Sequence, residues 1–355
     1  MVRTALLLLS VVAPALADFS LRRVNLLAAG LYDAVDGKVL CRDSDHNGRR
    51  ELLFSTGTIN PGNPLRWEIW EYRPVNRYEL VFADTGAYPY PPGIVTGNLI
   101  PFDIGDVDQD GRTDIVGVNW ERANDTLYNV LVVMESPNEH SLPDSLVWTY
   151  RFGRYVTGSS PCYVTTDLDK DGNREIVLLG AGQYIGLGIW EPSGDNQYDL
   201  VWNSWDVPSM TSLMFGDFDR DSLREFAGGW SLAAVYENIA PGKDSYVIVY
   251  CDTTGLGNGN DGFSAQDLDQ DGWPEFLISF HSYSANTFFL NMWEATGNNT
   301  FERTLVDQRR MVVGHGGGRS RCGDLDGDGV DELAWALPLG LFLYKAVGND
   351  EFEQV

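Results

Sequence analysis

Basic residues are scarce in this sequence: 25 lysines and arginines stand against 51 aspartates and glutamates, a formal net charge of −26. Binding to phosphate backbones needs clustered Lys and Arg, so the balance excludes nucleic acid as a partner and argues against an anionic lipid surface. Histidine is limited to His46, His140, His281 and His315, and neither HExxH nor GxSxG occurs, which removes the commonest metalloprotease and serine-hydrolase signatures. The four cysteines, Cys41, Cys162, Cys251 and Cys322, include no CxxC pair, so zinc and thioredoxin-like sites lack support. Beyond the N-terminus no apolar run approaches the roughly 18 residues of a membrane-spanning helix.

What is present describes a folded, turn-rich chain: 43% of the 355 residues are hydrophobic, 12% are aromatic, and there are 38 glycines and 16 prolines. At the N-terminus Arg3 precedes an apolar run, Ala5–Val12, and then Ala15-Leu16-Ala17. A charged flank, a short apolar stretch and a small-x-small site, in that order, predict a signal peptide over residues 1–17, with the mature chain starting at Asp18. The expected location is therefore secreted or at the cell surface, where disulfides are permitted.

The acids are not spread evenly. They recur as a nine-residue motif, D-x-D-x-[DN]-[GS]-x-x-[DE]. Its copies are Asp43-Ser-Asp45-His-Asn47-Gly48-Arg49-Arg-Glu51, Asp106-Val-Asp108-Gln-Asp110-Gly111-Arg112-Thr-Asp114 and Asp167-Leu-Asp169-Lys-Asp171-Gly172-Asn173-Arg-Glu175. The later copies are Asp217-Phe-Asp219-Arg-Asp221-Ser222-Leu223-Arg-Glu225, Asp267-Leu-Asp269-Gln-Asp271-Gly272-Trp273-Pro-Glu275 and Asp324-Leu-Asp326-Gly-Asp328-Gly329-Val330-Asp-Glu332. Their starts are 63, 61, 50, 50 and 57 residues apart.

Short runs rich in β-branched and aromatic residues fill the intervals, which is strand patterning. Each motif feeds an apolar run, such as Glu175-Ile-Val-Leu-Leu. A second run follows, such as Leu187-Gly-Ile-Trp-Glu191, then a third, such as Tyr198-Asp-Leu-Val-Trp202. Trp70 and Tyr78, Trp190 and Tyr198, Trp293 and Phe301, and Tyr344 and Phe352 are each eight residues apart, with turn residues such as Gly194-Asp195-Asn196 between several of them. Such spacing predicts a recurrent β-hairpin whose aromatics pack between neighbouring units.

Four short strands per repeat make one propeller blade, which cannot bury its faces alone and must stack on its neighbours. The expected fold is all-β: a β-propeller of six four-stranded blades, with seven as the alternative, forming one domain over residues 18–355. The segment Phe19–Leu40 is free to add a strand to the last blade as a latch. Cys41 and Cys322 each lie two residues before their motif, and a disulfide between them would close the first blade onto the last. Glu351–Val355 has the look of a third run cut short, which suits either a chain end or part of a longer surface protein.

Calcium takes six to eight oxygens from carboxylates, carbonyls and water. Alternating acids at positions 1, 3 and 5 turn three side chains to one centre: Asp43, Asp45 and Asn47; Asp106, Asp108 and Asp110; Asp167, Asp169 and Asp171; Asp217, Asp219 and Asp221; Asp267, Asp269 and Asp271; Asp324, Asp326 and Asp328. Position 7 offers its backbone carbonyl (Arg49, Arg112, Asn173, Leu223, Trp273, Val330) and position 9 closes the shell (Glu51, Asp114, Glu175, Glu225, Glu275, Glu332). Two carboxylates about 4 Å apart repel by roughly 4 kcal/mol at an effective dielectric of 20, so the clusters call for a cation. Magnesium dehydrates too reluctantly to suit such a cage. An EF-hand needs Glu at position 12, where Phe54, Gly117, Leu178, Gly228, Ile278 and Trp335 stand instead. Asn47 at position 5 and Ser222 in place of glycine predict the first and fourth sites to be the weakest.

These Asp-rich loops feeding β-strands resemble the FG-GAP/VCBS repeat family, the propeller type of integrin α-subunit heads and many exported bacterial proteins. The resemblance runs from about residue 25 to the end. It implies up to six structural Ca²⁺ ions and a module that binds an extracellular protein or glycan, as a monomer or as part of a larger surface protein. No catalytic residue is identified, and a non-enzyme is expected. Candidate contact loops are Ala87-Tyr88-Pro89-Tyr90-Pro91-Pro92 and Gly314-His315-Gly316-Gly317-Gly318-Arg319, because aromatic faces with few polar groups suit sugars or peptides. The alternative is a polysaccharide lyase or glycoside hydrolase built on the same fold, since the acid count permits a catalytic carboxylate pair.

Overall fold

A computed structural model of the chain describes residues 35–56, 66–73, 77–84, 99–124, 126–154, 162–164, 167–179, 186–204, 210, 212–229, 232–254, 257–264, 267–311, 318–338 and 340–355. Their strands form six antiparallel sheets of four, the blades of a β-propeller. The first sheet is β1 (Val35–Arg42), β2 (Glu51–Thr56), β3 (Arg66–Arg73) and β4 (Arg77–Ala83). The second is β5 (Ile100–Gly105), β6 (Asp114–Ala123), β7 (Thr126–Glu135) and β8 (Ser145–Arg154). The third is β9 (Cys162–Val164), β10 (Ile176–Leu179), β11 (Leu187–Gly194) and β12 (Gln197–Ser204). The fourth is β13 (Leu213–Gly216), β14 (Glu225–Gly229), β15 (Ala233–Asn238) and β16 (Tyr246–Asp252). The fifth is β17 (Asn258–Ser264), β18 (Glu275–Ser282), β19 (Thr287–Gly297) and β20 (Thr300–Arg310). The sixth is β21 (Arg319–Gly323), β22 (Glu332–Leu337), β23 (Gly340–Gly348) and β24 (Glu351–Gln354). No helix among the described residues is long and apolar enough to cross a membrane.

Each sheet runs in chain order, first strand beside second, second beside third, third beside fourth. The Asp loop is therefore internal to its sheet, linking its first strand to its second. Antiparallel order puts the Asp loop and the turn between third and fourth strands at one end of each sheet. The link between second and third strands, and the connection to the next sheet, leave from the other end.

This order corrects two expectations. The end of the segment Phe19–Leu40 does not latch onto the last sheet: β1 pairs with β2 in the first, and the sixth is complete from its own strands. Residues 1–34, with the stretch read as a signal peptide, lie outside the described residues. The expected Cys41–Cys322 disulfide is absent, since both are free thiols. Cys41 is exposed, and Cys322 packs beside the core formed by Leu333, Trp335 and Tyr344.

Contacts divide the chain into two compact units, one of Leu26–Val207 with Asn238–Ser245, the other of Pro208–Glu237 with Tyr246–Val355. In the former, β7 is buried on both faces. Val130, Val132 and Met134 meet the first sheet's Leu53 and Ile69, while Leu131 and Val133 meet the third sheet's Ile176 and Trp190. In the latter, Phe276, Ile278 and Phe280 face the fourth sheet, and Leu277 faces the sixth. A strand covered on both faces reads as a continuous apolar run rather than an alternation. The hairpin aromatics pack between sheets, Trp190 against Tyr150 at 5.2 Å and Phe301 against Tyr250 at 5.1 Å between ring centres. Burying such a side chain is worth about 1.5–3 kcal/mol.

Candidate metal centres

All six Asp loops follow one backbone trace with two left-handed residues. Position 4 has φ of +53 to +82° (His46, Gln109, Lys170, Arg220, Gln270, Gly327) and position 6 has φ of +74 to +103° (Gly48, Gly111, Gly172, Ser222, Gly272, Gly329). Only glycine adopts this region without cost, so the glycine at position 6 is explained. The left-handed residue at position 4 carries no sequence mark except in the sixth loop.

Side chains hold this trace from within. The position 1 carboxylate accepts the position 6 N–H, at 2.9 Å in Gly48→Asp43 and Gly172→Asp167 and at 3.2 Å in Gly272→Asp267. The position 5 side chain accepts the position 7 N–H, at 2.7–2.9 Å in every loop. The position 9 acid reaches back to the position 2 N–H: Ser44→Glu51 at 2.5 Å, Val107→Asp114 at 2.8 Å, Leu168→Glu175 at 2.9 Å, Leu268→Glu275 and Leu325→Glu332 at 2.8 Å, and Phe218→Glu225.

Each of these bonds uses one carboxylate oxygen. The second is buried without a hydrogen-bond donor at Asp43, Asp106 and Asp167 in position 1, and at Glu51, Asp114, Glu225, Glu275 and Glu332 in position 9. The position 9 side chains are at most 4% exposed in these loops. An orphaned anionic oxygen in such a place is costly. Burial, with the neighbouring aspartates adding to it, pushes Glu51 up to about 7, Asp114 and Glu275 to about 8 and Glu225 to about 9.

The acids converge as the spacing predicts. Asp217, Asp219, Asp221 and Glu225 each bring an oxygen within 4.8 Å of the others, as do Asp267, Asp269, Asp271 and Glu275. Asp43, Asp45 and Glu51 form such a group in the first loop, and Asp106, Asp108 and Asp114 in the second. Asn47 bonds Asp45 through its amide at 2.9 Å, and Asp110 pairs with Arg112 at 3.2 Å. The third and sixth loops share the hydrogen-bond scheme through Asp167, Asp171, Glu175, Asp324, Asp328 and Glu332. The fourth loop, for which Ser222 suggested weakness, still assembles its four acids. At position 7 the backbone N–H is engaged, while the Arg49 and Arg112 side chains turn to glutamates of the third strand, Glu71 at 2.9 Å and Glu135 at 2.5 Å.

Those glutamates are candidate site residues that the sequence reading missed. Glu51 lies opposite Glu71 across the sheet, Asp114 opposite Glu135, Glu225 opposite Glu237 and Glu275 opposite Glu294. Glu191 holds the corresponding place in the third sheet. All five are at most 8% exposed. Their signal was an acid directly after the hairpin aromatic, as in Trp70-Glu71, Trp190-Glu191 and Trp293-Glu294. Burial and nearby acids push Glu191 up to about 8 and Glu294 to about 7. Asp108, Glu135 and Asp195 also bring oxygens within 4.8 Å of one another.

Three loops are gripped by the following sheet of the same unit. The Asn196 N–H donates to Asp108 at 2.9 Å, the Asn299 N–H to Asp219 at 2.7 Å and the Asp350 N–H to Asp269 at 2.6 Å. The donors sit in the turns between third and fourth strands, at φ of +55 to +57°. The loops also touch each other, Gln109 donating to the Gly172 carbonyl at 2.9 Å and Arg220 lying over the Trp273 ring at 5.4 Å. The candidate contact loop 87–92 and most of 314–319 lie outside the described residues.

Residues 267–335, which hold the fifth loop, β18 to β20 and the sixth loop, match the FG-GAP-like repeat family. No curated protein matches the chain. Among solved structures, the chain is similar to an Agrocybe aegerita lectin that specifically recognises non-reducing terminal N-acetylglucosamine. That match has 16% identity and a TM-score of 0.54, covering 92% of this chain and 80% of the lectin. AofleA from Arthrobotrys oligospora matches at 10% identity and a TM-score of 0.46, covering 92% of this chain and 87% of its own.

Proposed function

For a chain that is an FG-GAP-like propeller, we propose the role of a secreted glycan-binding module whose Asp loops are braced by structural Ca²⁺. The observation that carries the calcium reading is the set of buried carboxylate oxygens, at Glu51, Asp114, Glu225 and Glu275 among others, left without a donor beside converging aspartates. Hard, anionic oxygens at this density suit Ca²⁺. In a loop that takes calcium, the position 1, 3, 5 and 9 residues would hold the ion, whose role is to neutralise the cluster and fix the link between two strands. Extracellular calcium modules bind at about 10⁻⁴ to 10⁻³ M, which suits an exported protein.

Glycan binding is supported by the lectin among the structural neighbours. The acids whose affinity for protons is raised lie in the Asp loops or directly beside them, where burial accounts for the shift, and none supports a hydrolase. The test is an array of immobilised glycans, beginning with those ending in N-acetylglucosamine, probed with the mature chain in millimolar calcium. Retention of a defined glycan class is the expected result. Retention of a protein ligand alone would replace the glycan reading, and cleavage of an arrayed polysaccharide would overturn the non-enzymatic one.

A further inference from the structure

In five sheets the third strand places a glutamate beside the Asp loop; in the sixth, Lys345 stands opposite Glu332. Its Nζ lies 3.3 Å from Asp326 Oδ2 and 3.2 Å from Glu332 Oε1, and it donates to Asp328 Oδ2. Those are the third, fifth and ninth positions of the loop. Two of these carboxylates accept hydrogen bonds from the ammonium, and Glu332 Oε1 meets it as an ion pair only.

The first position differs in the same sense. Asp324 accepts the Gly327 N–H on Oδ1 at 2.6 Å and the Gly329 N–H on Oδ2 at 3.0 Å. Asp43, Asp106 and Asp167 each keep one oxygen without a donor. Gly327, the only glycine at position 4 of the six loops, makes this tighter turn accessible.

From these contacts we infer that the Lys345 ammonium is the resident cation of the sixth loop, which closes without a metal, so that the chain binds one calcium ion fewer than it has Asp loops. The inference rests on the calcium reading of the other loops. Asp326 and Asp328 are 43% and 46% exposed, where an ion pair adds little stability. The lysine therefore sets the loop's shape and its independence of calcium more than the strength of the fold.

Two measurements test it. Native mass spectrometry of the mature chain in calcium should count one ion fewer than the six Asp loops. Lys345→Glu, which restores the residue type of the other sheets, should add one. A full count in the unaltered chain, or an unchanged count in Lys345→Glu, would overturn the inference. Hydrogen exchange of the unaltered chain needs no variant: chelation should accelerate exchange in the first five loops and leave 324–332 unchanged. Equal acceleration in 324–332 would overturn it too. If no ion binds and chelation changes nothing, the calcium reading fails by itself. Lys345→Met then decides the lysine's part, faster exchange confined to 324–332 supporting it and an unchanged loop overturning it.

Discussion

Ser222 carries a side chain on a backbone that the other five loops give to glycine, at a φ of +74°. A left-handed residue other than glycine costs about 1–2 kcal/mol, part of which glycine returns through its freer unfolded chain. Ser222→Gly should stabilise the protein by roughly 0.5–1 kcal/mol, seen as a higher urea midpoint with an unchanged slope. A lower midpoint would mean that the serine side chain contributes more than its backbone costs. Glu275 allows a sharper test, because its value should change sign with the metal. Its Oε2 anchors the Leu268 N–H, which the amide oxygen of Gln can also accept, while its other oxygen has no donor. In chelator, Glu275→Gln removes a carboxyl that folding must either protonate or hold charged among other acids, and should stabilise. In calcium it removes an anionic ligand and should destabilise, by roughly 1–3 kcal/mol in each direction. Denaturation with and without calcium reads both, and the same sign in both conditions would remove Glu275 from the metal shell.

Among elements, the hairpin of third and fourth strands is the part that joins one sheet to the next. Trp190, fully buried, meets Tyr150 of the preceding sheet, while the Asn196 turn beyond it grips Asp108 of the preceding loop. Trp190→Ala should cost about 3–5 kcal/mol, and Trp190→Phe clearly less, by chemical denaturation; equal losses would mean that the indole's shape, not its bulk, is what the site requires. The recurrence of this hairpin was legible in the sequence, as was the Asp loop, because each repeats a chemical requirement: an aromatic at the interface, acids at alternate positions, glycine where φ is positive. The glutamate after each aromatic was harder to see. A single acid on a strand looks like an outward-facing charge until strand pairing sets it against the loop. The left-handed position 4 was hidden because His46, Gln109, Lys170, Arg220 and Gln270 share no chemistry. The first strand was misassigned because Val35–Arg42 precedes its motif, and a lead-in fits the neighbouring sheet as well as its own until hydrogen bonds are drawn. Lys345 broke the pattern of its position, yet the rule it broke had not been recognised.

For the whole molecule, an ion that binds only the folded chain adds stability as RT ln(1 + [Ca²⁺]/Kd), about 2.7 kcal/mol per site at a hundredfold excess over Kd. Several independent sites make the dependence steep. The melting temperature of the protein should rise continuously as calcium goes from micromolar to millimolar and fall by many degrees in EGTA. Identical melting curves in both would sink the structural calcium reading whatever the chain binds. A final consequence follows from strand direction. The Asp loops occupy one end of every sheet, and the chain passes from one sheet to the next at the other. A strand of six residues spans roughly 20 Å, so a sugar seated at that other end of a sheet would not touch an ion. Calcium would be the rivet and not the bait: stripped in the cold, the protein should keep its grip on its ligand, and lose it only on warming, when the blades themselves let go.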